Sequence, residues 1–169
     1  MISLGLPHEI DEIIALTKRC GKHMRDHGID QWDEEYPDRG NIENDLKTKT
    51  LFAYRDGTEI RGIVVLNEAQ DDEYAEINWL TDSSSRNLVV HRLAVDPVFQ
   101  GQGIAQKLMD HAEKYAGEQN YDSIRLDTFS QNHRNQRFYA NRGYKNLGSV
   151  YLKYKKEHPY ICYEILINK

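Results

Sequence analysis

The sequence predicts an α+β fold (α/β in some schemes) in which helices flank a mixed, mostly antiparallel sheet. Two observations predict it. Helical apolar spacing opens the chain and gives way to short β-rich runs, and the second half then alternates strand, helix, strand, helix and strands. The 169 residues contain no fixed-period repeat and no long linker, so we expect residues 1–169 to form a single domain.

The first half of the chain is predicted to hold two helices and a hairpin. The predicted elements are a helix over 7–27, a weaker helix over 42–47, and strands over 50–54 and 60–66. Pro7 suits the first turn of the first helix, and Gly28 suits its end. Asp56-Gly57 between the two strands is typical of a tight hairpin turn because both positions tolerate positive φ.

Strands and helices alternate in the second half. The predicted elements are strands over 74–80 and 88–95, a helix over 103–116, a strand over 123–127, a helix over 132–141, and strands over 149–152 and 160–167. Gly117 and Gly143 follow the two helices and are predicted to end them, since glycine adopts the left-handed conformation of helix C-termini.

Composition excludes several classes of protein. The chain has 22 Lys plus Arg against 27 Asp plus Glu, a net charge of −5, which argues against nucleic acid or an anionic membrane surface as partner. The basic residues at 153–156 are therefore interpreted as a solvated turn. No apolar run nears the roughly 20 residues of a membrane span, and the N-terminus lacks a basic signal region. With two cysteines, too few for a disulfide framework, we predict a cytoplasmic protein.

The segment after strand 88–95 is the most informative part of the sequence. Gln100-Gly101-Gln102-Gly103 opens the next helix. Its glycines allow a ligand to approach the backbone, and the free N–H groups of the first helical turn lie at the positive end of the helix dipole. Together they form a site suited to a phosphate group. The same glycines could equally serve a strand-to-helix turn without a ligand.

Two common phosphate-binding motifs do not fit this segment. A P-loop continues with Lys and Ser or Thr, whereas Ile104 and Ala105 follow here. A dinucleotide fingerprint needs a third glycine where Gln106 stands. It also needs a turn tight against the strand, whereas five residues separate Val95 from Gly101.

A third motif fits, and a second one supports it downstream. Residues 93–105, with Gln100-x-x-Gly103-x-Ala105, resemble motif A of the GCN5-related N-acetyltransferase (GNAT) family. Residues 132–144 read Asn-x-x-Asn-x-x-Phe-Tyr-x-x-x-Gly-Tyr and are similar to the family's motif B, in which Ala often replaces the second Asn. Gln100 stands where Arg is commoner in the family, which removes a positive charge from the loop.

The resemblance implies the GNAT fold with acetyl-CoA as cosubstrate, held between two parallel strands that splay apart, here 88–95 and 123–127. The implied cofactor-binding residues are Leu93, Ala94, Val95, Gln100, Gly101, Gln102, Gly103, Ile104, Ala105, Asn132 and Tyr139. Backbone groups of Leu93 and Val95 would pair with the pantetheine amides as an added strand does. The N–H groups of residues 101–105 would bind the pyrophosphate.

Motif B carries the implied catalytic chemistry. Asn132, Asn135 and Tyr139 are spaced i, i+3 and i+7, so all three would project from one helix face. The resemblance implies that Asn132 reaches the pantetheine arm and that Tyr139 protonates the departing thiolate as a general acid. Asn132 could instead be a helix N-cap, and Tyr139 a core aromatic residue.

The base that deprotonates the amine has two candidates. His91 is expected to share a strand face with Leu93 and Val95, and it titrates near neutrality. Glu76 lies on the preceding predicted strand. Either side chain could be structural; of the two, His91 is the predicted catalytic residue beside Tyr139. A backbone N–H of the Leu93 strand is expected to stabilise the developing oxyanion.

The sequence therefore predicts an acyl-CoA-dependent N-acyltransferase. We expect it to transfer acetyl from acetyl-CoA to a primary amine of a small molecule or peptide by direct attack. The alternative is a catalytically silent acyl-CoA-binding sensor or interaction module. The acidic and aromatic loop 29–38 would favour a cationic amine, unless it is only a solvated loop with one packed Trp.

Two further expectations concern metals and assembly. Cys20, His23 and His27 are spaced i, i+3 and i+7, but no fourth ligand is evident, so no metal site is predicted. Cys20 also continues the apolar stripe of its helix. A homodimer is compatible with the sequence.

Overall fold

The computed structural model describes residues 1–153 and 155–168, with residues 155 and 156 described by their backbone alone. Apart from Lys153, the basic cluster predicted at 153–156 lies outside the described side chains. The helices are α1 (Ile10–Asp26), α2 (Arg39–Lys47), α3 (Ile104–Glu118) and α4 (His133–Asn141). The strands are β1 (Ile2–Leu4), β2 (Leu51–Asp56), β3 (Glu59–Asn67), β4 (Asn87–Val95), β5 (Ser123–Phe129), β6 (Lys145–Leu152) and β7 (Lys155–Leu166).

In the described part of the chain these strands form one mixed sheet in the order β1-β2-β3-β4-β5-β7-β6. The pairs β1–β2, β2–β3, β5–β7 and β6–β7 are antiparallel. β4 and β5 are parallel, with residues 87–89 in register with residues 123–125. The predicted α+β fold with helices around a mostly antiparallel sheet is confirmed. Among the described helices, none has the length and apolarity that crossing a membrane requires.

The chain divides into two compact units. Unit 1 comprises Met1–Leu66 and Val90–Ala112, and unit 2 comprises Asn67–Val89 and Glu113–Lys169. Both β4 and α3 contribute residues to each unit. The single domain expected over residues 1–169 stays a prediction.

Unit 1 is built from α1, α2 and the β2–β3 hairpin. The buried side chains of α1, Ile13, Leu16 and Cys20, recur at helical spacing and join one core with residues of β2 and β3. The hairpin turns at Asp56 with Gly57 at φ 60°, as predicted. β1 was not predicted from the sequence, because three residues are too few to show a strand pattern.

Unit 2 is built from β5, β6, β7 and α4. β5 pairs with β7 over seven residues, from Ser123–Leu166 to Phe129–Tyr160. α4 ends before Gly143, whose φ of 94° confirms the predicted stop. α3, in contrast, continues through Gly117 to Glu118, so the stop predicted there is wrong.

The end of α3 is provided by an asparagine instead. Asn120 adopts φ 60°, and the Tyr121 N–H donates to the carbonyl of Ala116 at 2.9 Å. This is the bond of a Schellman-type terminus, and Asn is among the few residues that tolerate its left-handed conformation.

The strand predicted over residues 74–80 is wrong. The chain forms a short 3₁₀ helix, Asp72–Glu76, followed by irregular backbone. Trp79 packs on Tyr74 at 5.0 Å between ring centroids and donates its indole N–H to the Tyr74 carbonyl. The Leu80 N–H donates to the Glu164 carboxylate, so side chains rather than a strand satisfy this backbone. Glu76 consequently lies on no strand and is exposed.

Candidate active site

A short 3₁₀ helix connects the end of β4 to the glycine turn of unit 1. Asp96 accepts a hydrogen bond from the Val98 N–H at 3.2 Å and pairs with Arg19 at 2.6 Å. These contacts hold the chain in a 3₁₀ helix, Pro97–Phe99, before the turn begins. The strand-to-helix connection predicted from the sequence is therefore present.

The space beside the turn is open. Gly101 and Gly103 have φ values of 80° and 78°, a backbone conformation that other residues adopt only with strain. Apart from the two chain neighbours of each glycine, a Cβ atom built on Gly101 or Gly103 meets nothing in the described chain within 4 Å. A ligand can thus approach the backbone closely at both positions.

The N–H groups of this turn are available to an anion. The first intrahelical bond of α3 runs from the Lys107 N–H to the Gly103 carbonyl at 3.1 Å, so earlier N–H groups lack a helical acceptor. For residues 101–105 the described chain records no hydrogen bond from a backbone N–H. The first turn of α3 also carries no acidic residue. These features fit a pyrophosphate group.

The neighbouring β4 residues are partly engaged within unit 1. The Val95 carbonyl accepts from Cys20 Sγ at 3.2 Å and from Gln100 Nε2 at 3.4 Å. Gln100 therefore contacts the strand end through its side chain. Leu93 is half-buried and Ala94 is buried. Their pairing with a pantetheine arm stays a prediction.

A conformational irregularity separates His91 from Leu93. Arg92 adopts φ 48°, and its guanidinium forms two bonds of 2.7 Å to Asp45 and one of 3.0 Å to the Tyr36 hydroxyl. The alternation that placed His91 on one face with Leu93 and Val95 does not hold across this residue. His91 is half-buried in unit 1, and its role as a base stays a prediction.

In unit 2, Asn132 is the N-cap of α4. It is 4% exposed, and its side-chain oxygen accepts from the Asn135 N–H at 3.2 Å. The Asn135 amide donates to Thr128 Oγ1 at 3.3 Å. The capping role that the sequence left open is thus present, and a contact of Asn132 with pantetheine stays a prediction.

Tyr139 lies in an aromatic cluster of unit 2. It is 4% exposed, and its ring lies 5.9 Å from those of Tyr144 and Tyr163. Burial, with the negative charge of Asp127 as a second cause, raises the pKa of Tyr139 above the ordinary phenol value. Within residues 1–153 and 155–168, its hydroxyl makes no recorded hydrogen bond. Tyr139 is therefore a neutral donor through the physiological pH range.

Sequence reasoning missed a carboxylate on β5. Asp127 is partly buried, and its Oδ2 accepts from the Tyr74 hydroxyl at 2.6 Å. Burial and the nearby charge of Asp71 raise the pKa of Asp127 to about 6, although the Tyr74 bond acts in the opposite direction. One indication of this carboxylate was present in the sequence, since Asp127 is an acidic residue at the end of the strand predicted over 123–127. The incorrect strand assignment of residues 74–80 hid its partner Tyr74.

An acidic cavity of about 510 Å³ lies elsewhere in unit 2. Its lining residues are Asp72, Glu73, Glu76, Ser149, Val150 and Tyr151. Asp72 pairs with Lys153 at 3.3 Å. The carboxylates of Glu73 and Glu76, with the exposed ring of Tyr151, give this cavity a character suited to cationic groups.

The loop over 29–38 is only partly a solvated rim. Trp32 is 7% exposed and belongs to the core of unit 1, and Tyr36 accepts from Arg92. Cys20 is also a core residue, and burial raises the pKa of its thiol to about 12. Over the described residues, no three His, Cys, Asp or Glu side chains are grouped as a metal site.

Comparisons with known proteins agree with this architecture. Residues 11–144 match the Acetyltransferase (GNAT) family. The chain is 27% identical over 154 residues to the uncharacterized N-acetyltransferase YesJ of Bacillus subtilis (strain 168), covering 88% of this chain and 85% of that protein. It is 32% identical over 135 residues to an uncharacterized N-acetyltransferase of Archaeoglobus fulgidus, covering 79% and 85%.

A solved structure shows the same fold. The GNAT-family acetyltransferase of Streptococcus agalactiae 2603 superposes with a TM-score of 0.85 at 26% identity, covering 100% of this chain and 96% of that one. The match extends over both motifs and over the elements around them. This chain therefore belongs to the GNAT family of acetyltransferases.

Proposed function

We propose that the protein transfers the acetyl group of acetyl-CoA to a primary amine of a small molecule or peptide by direct attack. The observation that carries this proposal is the state of Tyr139. Tyr139 is 4% exposed, its hydroxyl stays protonated, and no hydrogen bond to that hydroxyl is recorded in the described residues. A donor held in this way is suited to protonating a leaving group.

Several groups of this chain have identifiable roles in the proposed reaction. The N–H groups of residues 101–105 bind the pyrophosphate of acetyl-CoA. Acetyl-CoA supplies a thioester whose carbonyl carbon is attacked by the amine and whose sulfur leaves. A backbone N–H of β4 near Leu93 stabilises the developing oxyanion, and Tyr139 donates its proton to the departing sulfur. The attacking nitrogen loses a proton to a base or to solvent as the amide forms, and solvent returns a proton to the Tyr139 phenolate. Positioning of the amine against the thioester supplies much of the remaining rate.

The phosphate site gives the first testable prediction. Gly103→Val should weaken CoA binding at least tenfold, on the order of 1.4 kcal/mol, because a branched side chain fills the open space beside the turn. Isothermal titration calorimetry with CoA on the folded variant measures this loss.

Gly28→Val is the matched control. Gly28 has φ 77° and the same open surroundings, so this variant carries a similar backbone strain outside the turn. Its CoA affinity should equal that of the wild type. Unchanged affinity in Gly103→Val would show that the phosphate site has been placed wrongly, and stronger stabilisation by NAD than by acetyl-CoA would favour a dinucleotide site.

An amine panel separates the enzyme from the silent module. The wild type, mixed with acetyl-CoA and one primary amine at a time, should release CoA thiol faster than the hydrolysis background with at least one amine. Mass spectrometry should then find the acetylated amine. Binding of acetyl-CoA without acetylation of any amine would favour the alternative, a catalytically silent acyl-CoA-binding module.

The acceptor is proposed to carry positive charge. This class of substrate is supported by the carboxylates of Glu73 and Glu76 in the cavity of unit 2, where the third carboxylate, Asp72, already pairs with Lys153. Diamines should therefore have lower KM values than amines with neutral tails. Raising the salt from about 0.05 M to about 0.5 M should narrow this difference, because the ions screen exposed charges. If the ratio between the KM values of diamines and of neutral-tailed amines does not change with salt, the preference for cationic acceptors is contradicted.

A further inference from the structure

Arg92 has a backbone conformation that is unusual inside a strand. In the described chain, three residues other than glycine have positive φ: Lys49, Arg92 and Asn120. Lys49 and Asn120 lie just beyond α2 and α3, where a left-handed residue ends a helix. Arg92 lies within β4, with φ 48°. A residue with a long side chain adopts this conformation only when its surroundings hold it there.

The side chain of Arg92 is held by an ion pair inside unit 1. Its Nε and Nη2 donate to the two carboxylate oxygens of Asp45, each at 2.7 Å, and its Nη1 donates to the Tyr36 hydroxyl at 3.0 Å. The side chains of Arg92 and Asp45 are 11% and 2% exposed. Two parallel bonds from a planar guanidinium fix its orientation as well as its distance from the carboxylate.

The partners of Arg92 are themselves anchored in the core of unit 1. Asp45 lies on α2 beside the core residue Leu46, and its carbonyl accepts from the Thr50 N–H at 3.0 Å. The Tyr36 ring packs against the same core. Because both partners are fixed, the ion pair restrains the direction in which the Arg92 side chain leaves β4.

The conformation of Arg92 determines the direction of the next N–H group. The peptide unit between Arg92 and Leu93 is planar, so the φ and ψ angles of Arg92 orient the Leu93 N–H relative to the preceding strand. An extended Arg92 would turn this N–H to a different side of β4. The Leu93 N–H lies in the segment to which the proposed function assigns the contact with the developing oxyanion.

We infer that Arg92 and Asp45 are positioning residues of the acetyl transfer. Their buried ion pair keeps β4 in the left-handed bend at Arg92, and the bend directs the Leu93 N–H toward the carbonyl oxygen of the thioester. This inference rests on the proposed function. The contact stabilises the oxyanion most, because a donor that is already oriented needs no reorganisation when the charge develops. Loss of the ion pair should therefore lower kcat more than acetyl-CoA affinity.

Arg92→Lys and Arg55→Lys make a matched pair of variants. Arg55 forms bonds of 3.0 and 2.6 Å to the Glu9 carboxylate in the same unit, its pair is equally buried, and its φ is not positive. Lysine cannot make the two parallel bonds at either position, so both variants should lose stability. At a temperature where both are folded, Arg92→Lys should lower kcat about 10²-fold, the size expected for a small misplacement of a reacting group. Arg55→Lys should leave kcat unchanged.

A second readout needs no acceptor. Acetyl-CoA labelled with carbon-13 in its acetyl carbonyl is bound to each protein, and the C=O stretch is measured by difference infrared spectroscopy. A hydrogen bond to the carbonyl oxygen lowers the frequency of this stretch. Arg92→Lys should therefore shift the frequency upward relative to the wild type, and Arg55→Lys should keep the wild-type frequency.

Two double variants separate the bend from the ion pair, and they serve as the test if Arg92→Lys fails to fold. Asp45→Asn/Arg92→Gly and Asp45→Asn/Arg92→Ala both lack the guanidinium, and neither leaves one charge of the pair buried alone. Glycine adopts positive φ without strain, whereas alanine does not. The glycine variant should therefore have the higher kcat, although glycine is the more flexible residue. If the ion pair only stabilised the fold, the alanine variant would be at least as active.

The outcomes separate this inference from the proposed function. No acetylation of any amine by the wild type would contradict the proposed function, and the positioning role would fall with it. Turnover by the wild type with unchanged kcat in Arg92→Lys would contradict the inference alone. Equal losses of kcat in Arg92→Lys and Arg55→Lys would also overturn it, since a general loss of stability would then explain both. An unchanged carbonyl frequency in Arg92→Lys, or equal kcat values of the two double variants, would have the same consequence.

Discussion

Tyr139→Phe should lower kcat by roughly 10²- to 10⁴-fold at saturating acetyl-CoA, the usual contribution of a general acid. Acetyl-CoA affinity should stay nearly unchanged, because the phenylalanine ring keeps the packing against Tyr144 and Tyr163. The loss should appear in kcat, as expected for an interaction made mainly in the transition state. Because the pKa of Tyr139 is raised above 10, the wild-type rate should show no decline from phenol ionisation below that pH.

Tyr144→Phe is the matched control for this prediction. Tyr144 is 3% exposed in the same aromatic cluster, and its hydroxyl donates to Glu113 at 3.3 Å. Its loss should cost about 1 kcal/mol of stability and leave kcat unchanged. If Tyr139→Phe keeps near-full kcat while chemistry is rate-limiting, another residue or water supplies the proton.

Glu164→Ala should lower the free energy of unfolding by about 3–5 kcal/mol. Glu164 is fully buried and accepts hydrogen bonds from Arg125, Ser123, Thr81 and the Leu80 N–H. Arg125 is itself buried, so removing the carboxylate leaves an unpaired charge in unit 2. Urea unfolding followed by circular dichroism measures the change.

Glu118→Ala is the control for the loss of a glutamate. Glu118 and its partner Lys114 are largely exposed, with side chains 59% and 74% accessible and 3.7 Å between the charged atoms. That pair should contribute less than about 0.5 kcal/mol. If Glu164→Ala fails to fold, Glu164→Gln should fold with a smaller loss, because it keeps an acceptor oxygen. Equal stability of Glu164→Gln and the wild type would contradict the ion-pair argument.

Local sequence patterns predicted most of the helices and strands, because residues close together in the sequence determine where these elements form. The helical spacing of Ile13, Leu16 and Cys20 corresponds to the buried side of α1. The dipeptide Asp56-Gly57 predicted a hairpin whose conformation depends on the turn residues themselves. The spaced residues of motifs A and B predicted the GNAT family, which the comparison over residues 11–144 confirms. A cytoplasmic location and a homodimer stay predictions.

The sequence-based predictions failed where contacts with distant parts of the chain compete with local conformational preference. Residues 74–80 have an apolar alternation typical of a strand, but the Glu164 carboxylate, far along the chain, binds their backbone. Gly117 is a good helix terminator, yet α3 continues past it to Glu118. Arg92 leaves extended geometry at φ 48° while its guanidinium pairs with Asp45, and nothing around Arg92 in the sequence indicates this partner.

The sequence by itself determined the family, the glycine turn and the candidate acid Tyr139, because each depends on residue types at fixed short spacing. The tertiary structure decided which charged groups are paired. Arg125 and Glu164 meet across β5 and β7, whereas the side-chain hydrogen bond recorded for Asp127 comes from the Tyr74 hydroxyl. The burial of these groups depends on contacts between residues roughly 40 to 50 positions apart. Burial and pairing set the pKa of a carboxylate, so these pairings and their effects could be identified only in the folded protein.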